Sequence, residues 1–187
     1  CGYRMFKSPL KIALIGGSGF IGNCFKEMYG DTFDIIDVSR KAGTTSDYSY
    51  NELLSALNGC DSVVILAAKK VNPKEKQSLS LYEDNIKIVE NSLEACKALG
   101  IKNVVYVSSR CVYSNTQASP VSENGDIAPI NYYGISKYTG ELLCEYYNRN
   151  YGMNIKTLRL SQVIGKSEGG YMIDLFIKNA LSGDALS

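Results

Sequence analysis

The chain has 187 residues, of which 45% are hydrophobic and 21% charged, and its formal net charge is +1. This composition is ordinary for one globular domain with its own core, and the even spread of Lys and Arg excludes the basic stripe that binding to a nucleic-acid backbone requires. The six widely spaced cysteines form no C-x-x-C pair, histidine is absent, and no apolar run approaches the ~18 residues that suggest a membrane span. We therefore expect a cytoplasmic protein with reduced thiols and no bound metal, with neither nucleic acid nor membrane as a partner.

Short runs rich in β-branched residues alternate along the chain with segments of helical period. We expect Met5 to be the native start, with 1–4 as an added remnant and 5–187 as one domain. In chain order, the predicted strands are KIALIG (11–16), FDIIDV (33–38), a short strand near 44–46, DSVVILAA (61–68), KNVVYVSS (102–109) and NIKTLRL (154–160).

Two long helices are predicted between the later strands. The second extends from about 132 to 151, and the first ends at Gly100, a typical helix stop. Buried strands that are separated by helices pair in parallel through right-handed crossovers, so we predict an α/β fold, a doubly wound parallel sheet with helices on both faces. The apolar stripe of the first helix consists of Ile86, Val89, Leu93, Cys96 and Leu99.

The first predicted strand leads directly into GGSGFIG, which places Gly16, Gly19 and Gly22 three residues apart. Between a strand and a helix, such glycines permit a tight turn and a close approach of backbone N–H groups to a pyrophosphate at the helix N-terminus. Asp37 ends the second strand about twenty residues later, where a carboxylate can accept both hydrogen bonds of an adenosine ribose diol. Together these features predict a dinucleotide site.

The residues around Asp37 bear on which dinucleotide binds. A carboxylate at the ribose edge repels a 2′-phosphate, so NAD is predicted and NADP is the less favoured cofactor. Arg40 and Lys41 follow closely and could instead bind that phosphate. We favour the interpretation in which both are solvated.

A possible acid–base group lies in NYYGISKYTG, residues 131–140. A phenol titrates near pH 10 and is a poor base at neutrality unless a fixed cation stabilises the phenolate. Residues four apart share a helix face, so Tyr133 rather than Tyr132 is predicted to lie beside Lys137. The alternative is that Tyr133 packs in a core and Lys137 is solvated.

These motifs resemble those of the extended short-chain dehydrogenases/reductases, in the nucleotide-sugar epimerase and dehydratase group. GGSGFIG, Asp37, LAA (66–68), SSRCVY (108–113), YYGISK (132–137) and LRLSQVIG (158–165) follow the order and spacing of that family, from residue 11 to about 182. The resemblance implies a Rossmann fold that binds NAD. The implied cofactor-binding residues are Gly16, Gly19, Phe20, Ile21, Gly22, Asp37, Arg40, Asp47, Tyr48, Leu66, Ala67, Ala68, Asn85, Tyr133 and Lys137.

The resemblance also implies catalytic roles. Tyr133 would take or give the proton of a substrate hydroxyl, and Lys137 would lower the pKa of Tyr133 and hold the nicotinamide ribose. Ser109 matches the serine that hydrogen-bonds the reacting oxygen. Elementary chemistry agrees, because a hydride can leave a carbinol carbon only if the hydroxyl proton also leaves, and the base must therefore contact that oxygen.

Departures from the family pattern bear on the reaction. Arg110 and Cys111 stand where the 4,6-dehydratases carry Asp-Glu, so dehydration is not expected. A cysteine there is similar to a 3,5-epimerase and reductase group, in which the thiol exchanges a carbon-bound proton; its partner histidine is absent, with Tyr171 close to that position. We favour an inert Cys111, which a simple 4-epimerase permits. Gln162 replaces the asparagine that usually contacts the substrate, which leaves the sugar unassigned.

The resemblance therefore implies an NAD(P)-dependent nucleotide-sugar epimerase or reductase. The alternative is a non-catalytic NAD(P)-binding regulatory module on the same fold, although such modules usually lack the Tyr and Lys. Family members are considerably longer, so we expect this chain to be the cofactor-binding portion, with the C-terminal substrate domain largely missing. A homodimer is expected through helices near 79–99 and 132–151, with an apolar surface that includes Leu142, Leu143, Tyr146 and Tyr147.

Overall fold

The computed structural model describes residues 9–69, 78–115, 120–165 and 172–183, without the side chains of 172–175. The strands are β1 (Lys11–Ile15), β2 (Asp34–Val38), β3 (Ser62–Ile65), β4 (Asn103–Ser109) and β5 (Asn154–Leu160). The helices are α1 (Phe20–Tyr29), α2 (Tyr50–Ala56), α3 (Leu79–Ala98), α4 (Tyr132–Tyr151) and α5 (Met172–Ser182), and a 3₁₀ turn covers Arg110–Val112. Residues 1–4, Met5 and Tyr171 lie outside the described residues.

All five strands pair in parallel, in the order β2-β1-β3-β4-β5. From β1 the chain proceeds first to β2 on one side and then crosses to β3 on the other, so the strand order reverses at β1. At its carboxyl end, Ile15 pairs with Val38 of β2 and with Ile65 of β3. Ligands of doubly wound sheets bind in the crevice outside the strand ends at such a point, and the predicted fold class is confirmed.

Apolar strands in the centre of the sheet form the core, and helices cover them. Leu14 and Ile15 in β1 and Val63 and Ile65 in β3 have no solvent exposure, as expected for strands that are covered on both faces. Of the five residues in the predicted apolar stripe of α3, three are buried and two are half-buried. The predicted helix stop, Gly100, has a φ of +72° and follows the end of α3. The buried members of the stripe are Val89, Leu93 and Cys96.

The short strand predicted near 44–46 is wrong. The segment instead turns toward Glu52 in the first turn of α2, whose carboxylate accepts from the Thr45 hydroxyl at 2.7 Å and from the Ser46 N–H at 3.1 Å and hydroxyl at 2.7 Å. These hydrogen bonds lower the pKa of Glu52. Because the Ser46 N–H donates to this carboxylate and not to a neighbouring strand, the segment does not extend the sheet, and β2 is the edge of the described sheet.

The strand predicted for 61–68 is shorter than expected. β3 ends at Ile65, because the N–H groups of Leu66 and Ala67 both donate to the Ile15 carbonyl at 2.8 Å and the chain leaves the sheet there. The LAA segment therefore crosses the carboxyl end of β1 instead of extending β3.

In the described part of the chain, no helix is long and apolar enough to cross a bilayer.

Candidate active site

The three motif glycines have different structural reasons. Gly16 has φ of +87°, and a Cβ there would lie 2.7 Å from the backbone nitrogen of Ala67. A Cβ on Gly22 would overlap the backbone of Gly17, because α1 packs directly on the turn. A Cβ on Gly19 would meet one atom, the Gly16 carbonyl oxygen at 3.3 Å. Gly16 and Gly22 are therefore required by the fold, whereas Gly19 leaves the N-terminus of α1 accessible to an anion.

Two cavities meet at the glycine loop and together form one cleft across the carboxyl ends of the strands. A cavity of about 620 Å³ extends toward β2 and one of about 270 Å³ extends toward β4. Gly16, Gly19, Leu66 and Ala68 line both cavities. The first is also lined by Ser18, Ser39, Arg40, Lys41, Asp47, Tyr48 and Ala67, and the second by Phe20, Ile21, Ser109, Tyr133, Lys137 and Gln162. A cleft that passes over the switch point has the extended shape of a dinucleotide site.

Asp37 lines neither cavity, although its position at the end of β2 predicts a contact with the adenosine ribose of the cofactor. Its Oδ2 accepts hydrogen bonds from the Lys26 ammonium at 2.5 Å and the Ser18 hydroxyl at 2.8 Å, while its Oδ1 is buried beside Gly17 without a hydrogen-bond partner. Burial acts to raise the pKa of Asp37, but hydrogen bonds to Lys26, Ser39 and Ser18 outweigh it, so the pKa is lowered. Sequence reasoning missed Lys26, which lies on α1.

Asn85 connects two elements of the site. It is 4% exposed; its Oδ1 accepts from the Lys69 N–H at 2.6 Å, and its Nδ2 donates to the Lys69 carbonyl and the Ser136 hydroxyl, both at 3.2 Å. The amide therefore ties the segment after β3 to α4. Asn85 lines neither cavity of the cleft, so its described contacts are structural.

Tyr48 has an unusual backbone conformation at the far end of the cleft. Its φ is +60°, a left-handed value that is costly for a residue with a Cβ. Its N–H donates to the Thr45 hydroxyl at 2.8 Å, and its carbonyl accepts from the Asn91 side chain at 2.9 Å. These bonds hold Tyr48 and the preceding Asp47 at the 620 Å³ cavity.

Ser109, Tyr133 and Lys137 come together from two elements. Ser109 ends β4, and its hydroxyl oxygen accepts from the Cys111 N–H at 3.2 Å. Ser109 and Tyr133 line the same cavity. Tyr133 and Lys137 lie in the first turns of α4, where the Asn131 side chain caps the helix by accepting from the Gly134 N–H at 2.7 Å. The Lys137 ammonium is 5.8 Å from the centroid of the Tyr133 ring.

Lys137 is buried, at 3% exposure, so the alternative in which it is solvated is wrong. Its ammonium donates to the Val107 carbonyl at 2.8 Å and lies 5.1 Å from the Tyr106 ring centroid. Burial lowers the pKa of Lys137 to about 8. Burial also raises the pKa of Tyr133, with a further contribution from Cys111, while the nearby Ser109 side chain acts in the opposite direction.

The expected lowering of the Tyr133 pKa by Lys137 is therefore not seen in this structure. The physical reason is that the ammonium is directed to the Val107 carbonyl instead of the phenol, and the phenol has lost most of its hydration.

Tyr106 and Gly140 support Lys137, and sequence reasoning did not identify either. The Tyr106 hydroxyl donates to the Lys137 carbonyl at 3.3 Å. A Cβ on Gly140 would lie 2.6 Å from the Tyr106 ring carbon Cζ, so this glycine makes room for the ring. A glycine inside a long helix costs stability, and Gly140 was therefore a signal that something packs closely there.

A larger cavity of about 870 Å³ adjoins the Tyr133 side of the cleft and shares Leu160 and Ser161 with it. One of its walls is the ion pair of Arg159 and Glu141, whose closest atoms are 2.7 Å apart. Cys111 lines neither this cavity nor the cleft. Among the residues described, no group of three or more Cys, Asp or Glu side chains is placed to hold a metal.

The comparisons with known proteins agree with this geometry. Residues 12–187 match the model of the NAD dependent epimerase/dehydratase family. The structure superposes on the crystal structure of UDP-N-acetylglucosamine 4-epimerase from Bacillus cereus with a TM-score of 0.84 and 34% identity, covering 95% of this chain and 62% of that one.

Two curated relatives are similar along part of their length. UDP-glucose 4-epimerase of Lacticaseibacillus casei is 27% identical over 86% of this chain and 54% of its own length. N-acetyl-alpha-D-glucosaminyl-diphospho-ditrans,octacis-undecaprenol 4-epimerase of Escherichia coli O157:H7 is 33% identical over 74% of this chain and 44% of its own length. The chain thus spans about half the length of these relatives. Since the family model matches nearly all of it, the chain belongs to the NAD dependent epimerase/dehydratase family, whose cofactor is NAD.

Proposed function

We propose that this chain is the cofactor-binding part of an NAD-dependent nucleotide-sugar 4-epimerase. One observation carries the proposal: Ser109, Tyr133 and Lys137 meet in the cavity that the glycine loop also lines. Moving a hydroxyl proton together with a hydride needs a proton carrier, a partner for the oxygen and a nearby cation beside a dinucleotide site. The 4-epimerases of UDP-sugars among the relatives support a UDP-sugar as the substrate class.

The cleft fits an extended NAD molecule. Bound NAD supplies a carbon that accepts a hydride and returns it. Asp47 and Tyr48 would hold its adenine end, the α1 N-terminus at Gly19 its pyrophosphate, and Lys137 its nicotinamide ribose. The fit depends on Gly19, because a residue without a Cβ leaves space at the point where the two cavities meet.

Tyr133 carries the proton in the proposed reaction. Its phenolate takes the proton of the sugar 4-hydroxyl while the hydrogen on the same carbon leaves as a hydride, so the carbinol becomes a ketone. The hydride then returns to the opposite face of the ketone carbon, and Tyr133 returns the proton to the oxygen, which gives the epimer. Ser109 donates a hydrogen bond to the reacting oxygen, and the Lys137 ammonium supplies positive charge near a phenol whose pKa burial raises.

The residues after Ser109 favour this reaction over the related ones. Eliminating water from a sugar needs a second acid and base, and Arg110 and Cys111 do not provide a carboxylate pair. Proton exchange at a carbon next to a ketone would need the Cys111 thiol in the cleft, and Cys111 does not line it. A 4-epimerase needs one proton carrier alone, which Tyr133 provides.

The test is Tyr133→Phe in the full-length enzyme, with Tyr132→Phe as the matched control, because the neighbouring Tyr132 is exposed and lines neither cavity of the cleft. Tyr133→Phe should slow hydride transfer by about two or more orders of magnitude while NAD binding is unchanged, because a positioned general base contributes on that scale. Hydride transfer is followed by the absorbance of reduced nicotinamide in single turnovers. Near-normal turnover of Tyr133→Phe would contradict the proposal and support a non-catalytic NAD(P)-binding module.

We also propose that the protein is a homodimer. The outer face of α4 exposes a line of apolar side chains at helical spacing, whereas Tyr147 is 7% exposed and Leu143 packs against the core, so these two do not belong to the surface predicted from the sequence. The exposed line consists of Tyr132, Ile135, Leu142 and Tyr146. Leu142→Glu should convert a dimer to a monomer in light scattering; a native protein that is already a monomer would contradict the proposal.

A further inference from the structure

The ribose edge of the cleft contains a compensated charge. The Lys26 ammonium lies 2.5 Å from Oδ2 of Asp37, and side-chain exposures of 31% and 17% place the pair at the margin of the core. The same Oδ2 accepts from the Ser18 hydroxyl, which is also 2.7 Å from the Ser39 hydroxyl. The carboxylate is therefore ionised, but its charge is balanced by an ammonium from α1.

The hydrogen-bonding capacity of Asp37 toward a ribose is also used up or blocked. Oδ2 already has two donors, and Oδ1 is buried with no solvent access, 2.7 Å from where a Cβ on Gly17 would lie. Accepting both hydroxyls of a ribose diol would require the carboxylate to leave Lys26. The arrangement thus lacks the exposed anion by which an aspartate at this position discriminates against a 2′-phosphate.

The groups that do face this part of the cleft are neutral or cationic. The hydroxyl residues Ser18 and Ser39 line the 620 Å³ cavity together with Arg40 and Lys41, which are exposed at its rim. Hydroxyls and cations are suitable partners for a phosphate as well as for a diol. The cavity also has two carboxylates in its lining, Asp84, which pairs with Lys69 at 2.9 Å, and Asp47, which accepts from the Ser49 N–H at 2.9 Å. Next to Asp37 itself, the lining groups are hydroxyls, and the charge nearest to the Asp37 carboxylate is the Lys26 ammonium.

We propose that Lys26 is a determinant of cofactor specificity: by pairing with Asp37 it weakens the preference for NAD and allows NADP to bind in the same cleft. The proposal concerns nucleotide binding alone and does not depend on the sugar reaction, so it can fail while the proposed function holds. NAD remains the cofactor, and the effect of Lys26 falls on the ratio of the two dissociation constants. Without Lys26, the Asp37 carboxylate would carry an unbalanced negative charge that repels a 2′-phosphate at the ribose edge.

The test is calorimetric titration of the 187-residue chain with NAD and with NADP. Lys26→Met should weaken NADP binding about tenfold and change NAD binding less than about threefold. Lys156→Met is the matched control, because it removes the same charge from an exposed site on β5, the opposite edge of the described sheet. Lys26→Arg keeps the charge and should keep the native ratio.

A double-mutant cycle separates this mechanism from a direct contact between Lys26 and the phosphate. If Lys26 acts through Asp37, Lys26→Met has no effect on the ratio in an Asp37→Asn background; an effect that persists there would overturn the proposal, as would an unchanged ratio in Lys26→Met itself. Should Lys26→Met fail to fold, Asp37→Asn still decides. It should change neither dissociation constant more than about threefold, because the charge it removes is already balanced by Lys26; tighter NADP binding would mean that the Asp37 charge acts despite Lys26, and a tenfold loss of NAD affinity would mean that Asp37 binds the ribose directly.

Discussion

Replacing Lys137 by Met should make the protein more stable at neutral pH while removing a residue of the active site. The burial of this ammonium lowers its pKa to about 8, whereas a lysine in the unfolded chain titrates near pH 10.4. The unfolded state therefore binds more protons between these two values, and stability rises with pH across that window. Below pH 8 the folded protein bears the full cost of holding the buried charge.

The expected magnitude follows from the two pKa values. Each pH unit between them corresponds to about 1.4 kcal/mol, so the buried charge costs about 3 kcal/mol at pH 7. Met removes that cost but leaves the Val107 carbonyl without the ammonium that donates to it at 2.8 Å, which costs about 1 kcal/mol. The net expectation is a gain of about 2 kcal/mol at pH 7 that falls to about zero at pH 10.

Urea unfolding of both proteins at pH 7 and pH 10 measures this difference directly. Other groups that titrate in the interval are common to both proteins and cancel in the comparison. Lys156→Met, at an exposed position on β5, is the control and should show no gain that depends on pH. A Lys137→Met protein that is less stable than the native one at pH 7, or a gain of equal size at both pH values, would refute the reasoning.

Three further outcomes are expected. Lys137→Met should weaken both NAD binding and hydride transfer, measured by calorimetry and single-turnover absorbance, because the ammonium serves cofactor and phenol alike. Gly140→Ala should lower the free energy of unfolding by about 1–3 kcal/mol, since the new methyl would meet the Tyr106 ring; Tyr106→Phe should restore part of it, and an unchanged midpoint in Gly140→Ala would contradict this packing. Cys111→Ala should leave turnover nearly unchanged, whereas loss of carbon-bound deuterium exchange with solvent would point instead to a 3,5-epimerase.

Local signals account for what was predicted well. The parallel α/β sheet was predicted because buried strands and amphipathic helices each leave a pattern within a few consecutive residues. The glycine turn after β1 could be located because Gly16 needs a positive φ and Gly22 a missing side chain, and both needs are visible as glycine itself. The meeting of Tyr133 and Lys137 follows from helical spacing on α4.

Local spacing was less informative about the strength and direction of interactions. It placed Lys137 beside Tyr133 but did not indicate that the ammonium would be 3% exposed and would donate to the Val107 carbonyl. The sign of the Tyr133 pKa change depends on that direction and on desolvation, both of which arise when α4 packs on β4. Likewise, the segment near 44–46 has β-branched residues typical of a strand, yet Glu52 accepts from the Ser46 N–H and from the Thr45 and Ser46 hydroxyls.

The order of the elements, the dinucleotide turn and the residues that could carry a proton were therefore predictable from the chain alone, because each depends on neighbouring positions. The pairing of residues across elements depends on how the elements pack: Lys26 of α1 pairs with Asp37 of β2, and the Tyr106 ring of β4 packs against Gly140 of α4. Such pairs leave no periodic pattern, since packing brings together positions at unrelated distances along the chain. The charge that a cofactor meets at the ribose edge is therefore a property of the folded protein and not of Asp37 alone.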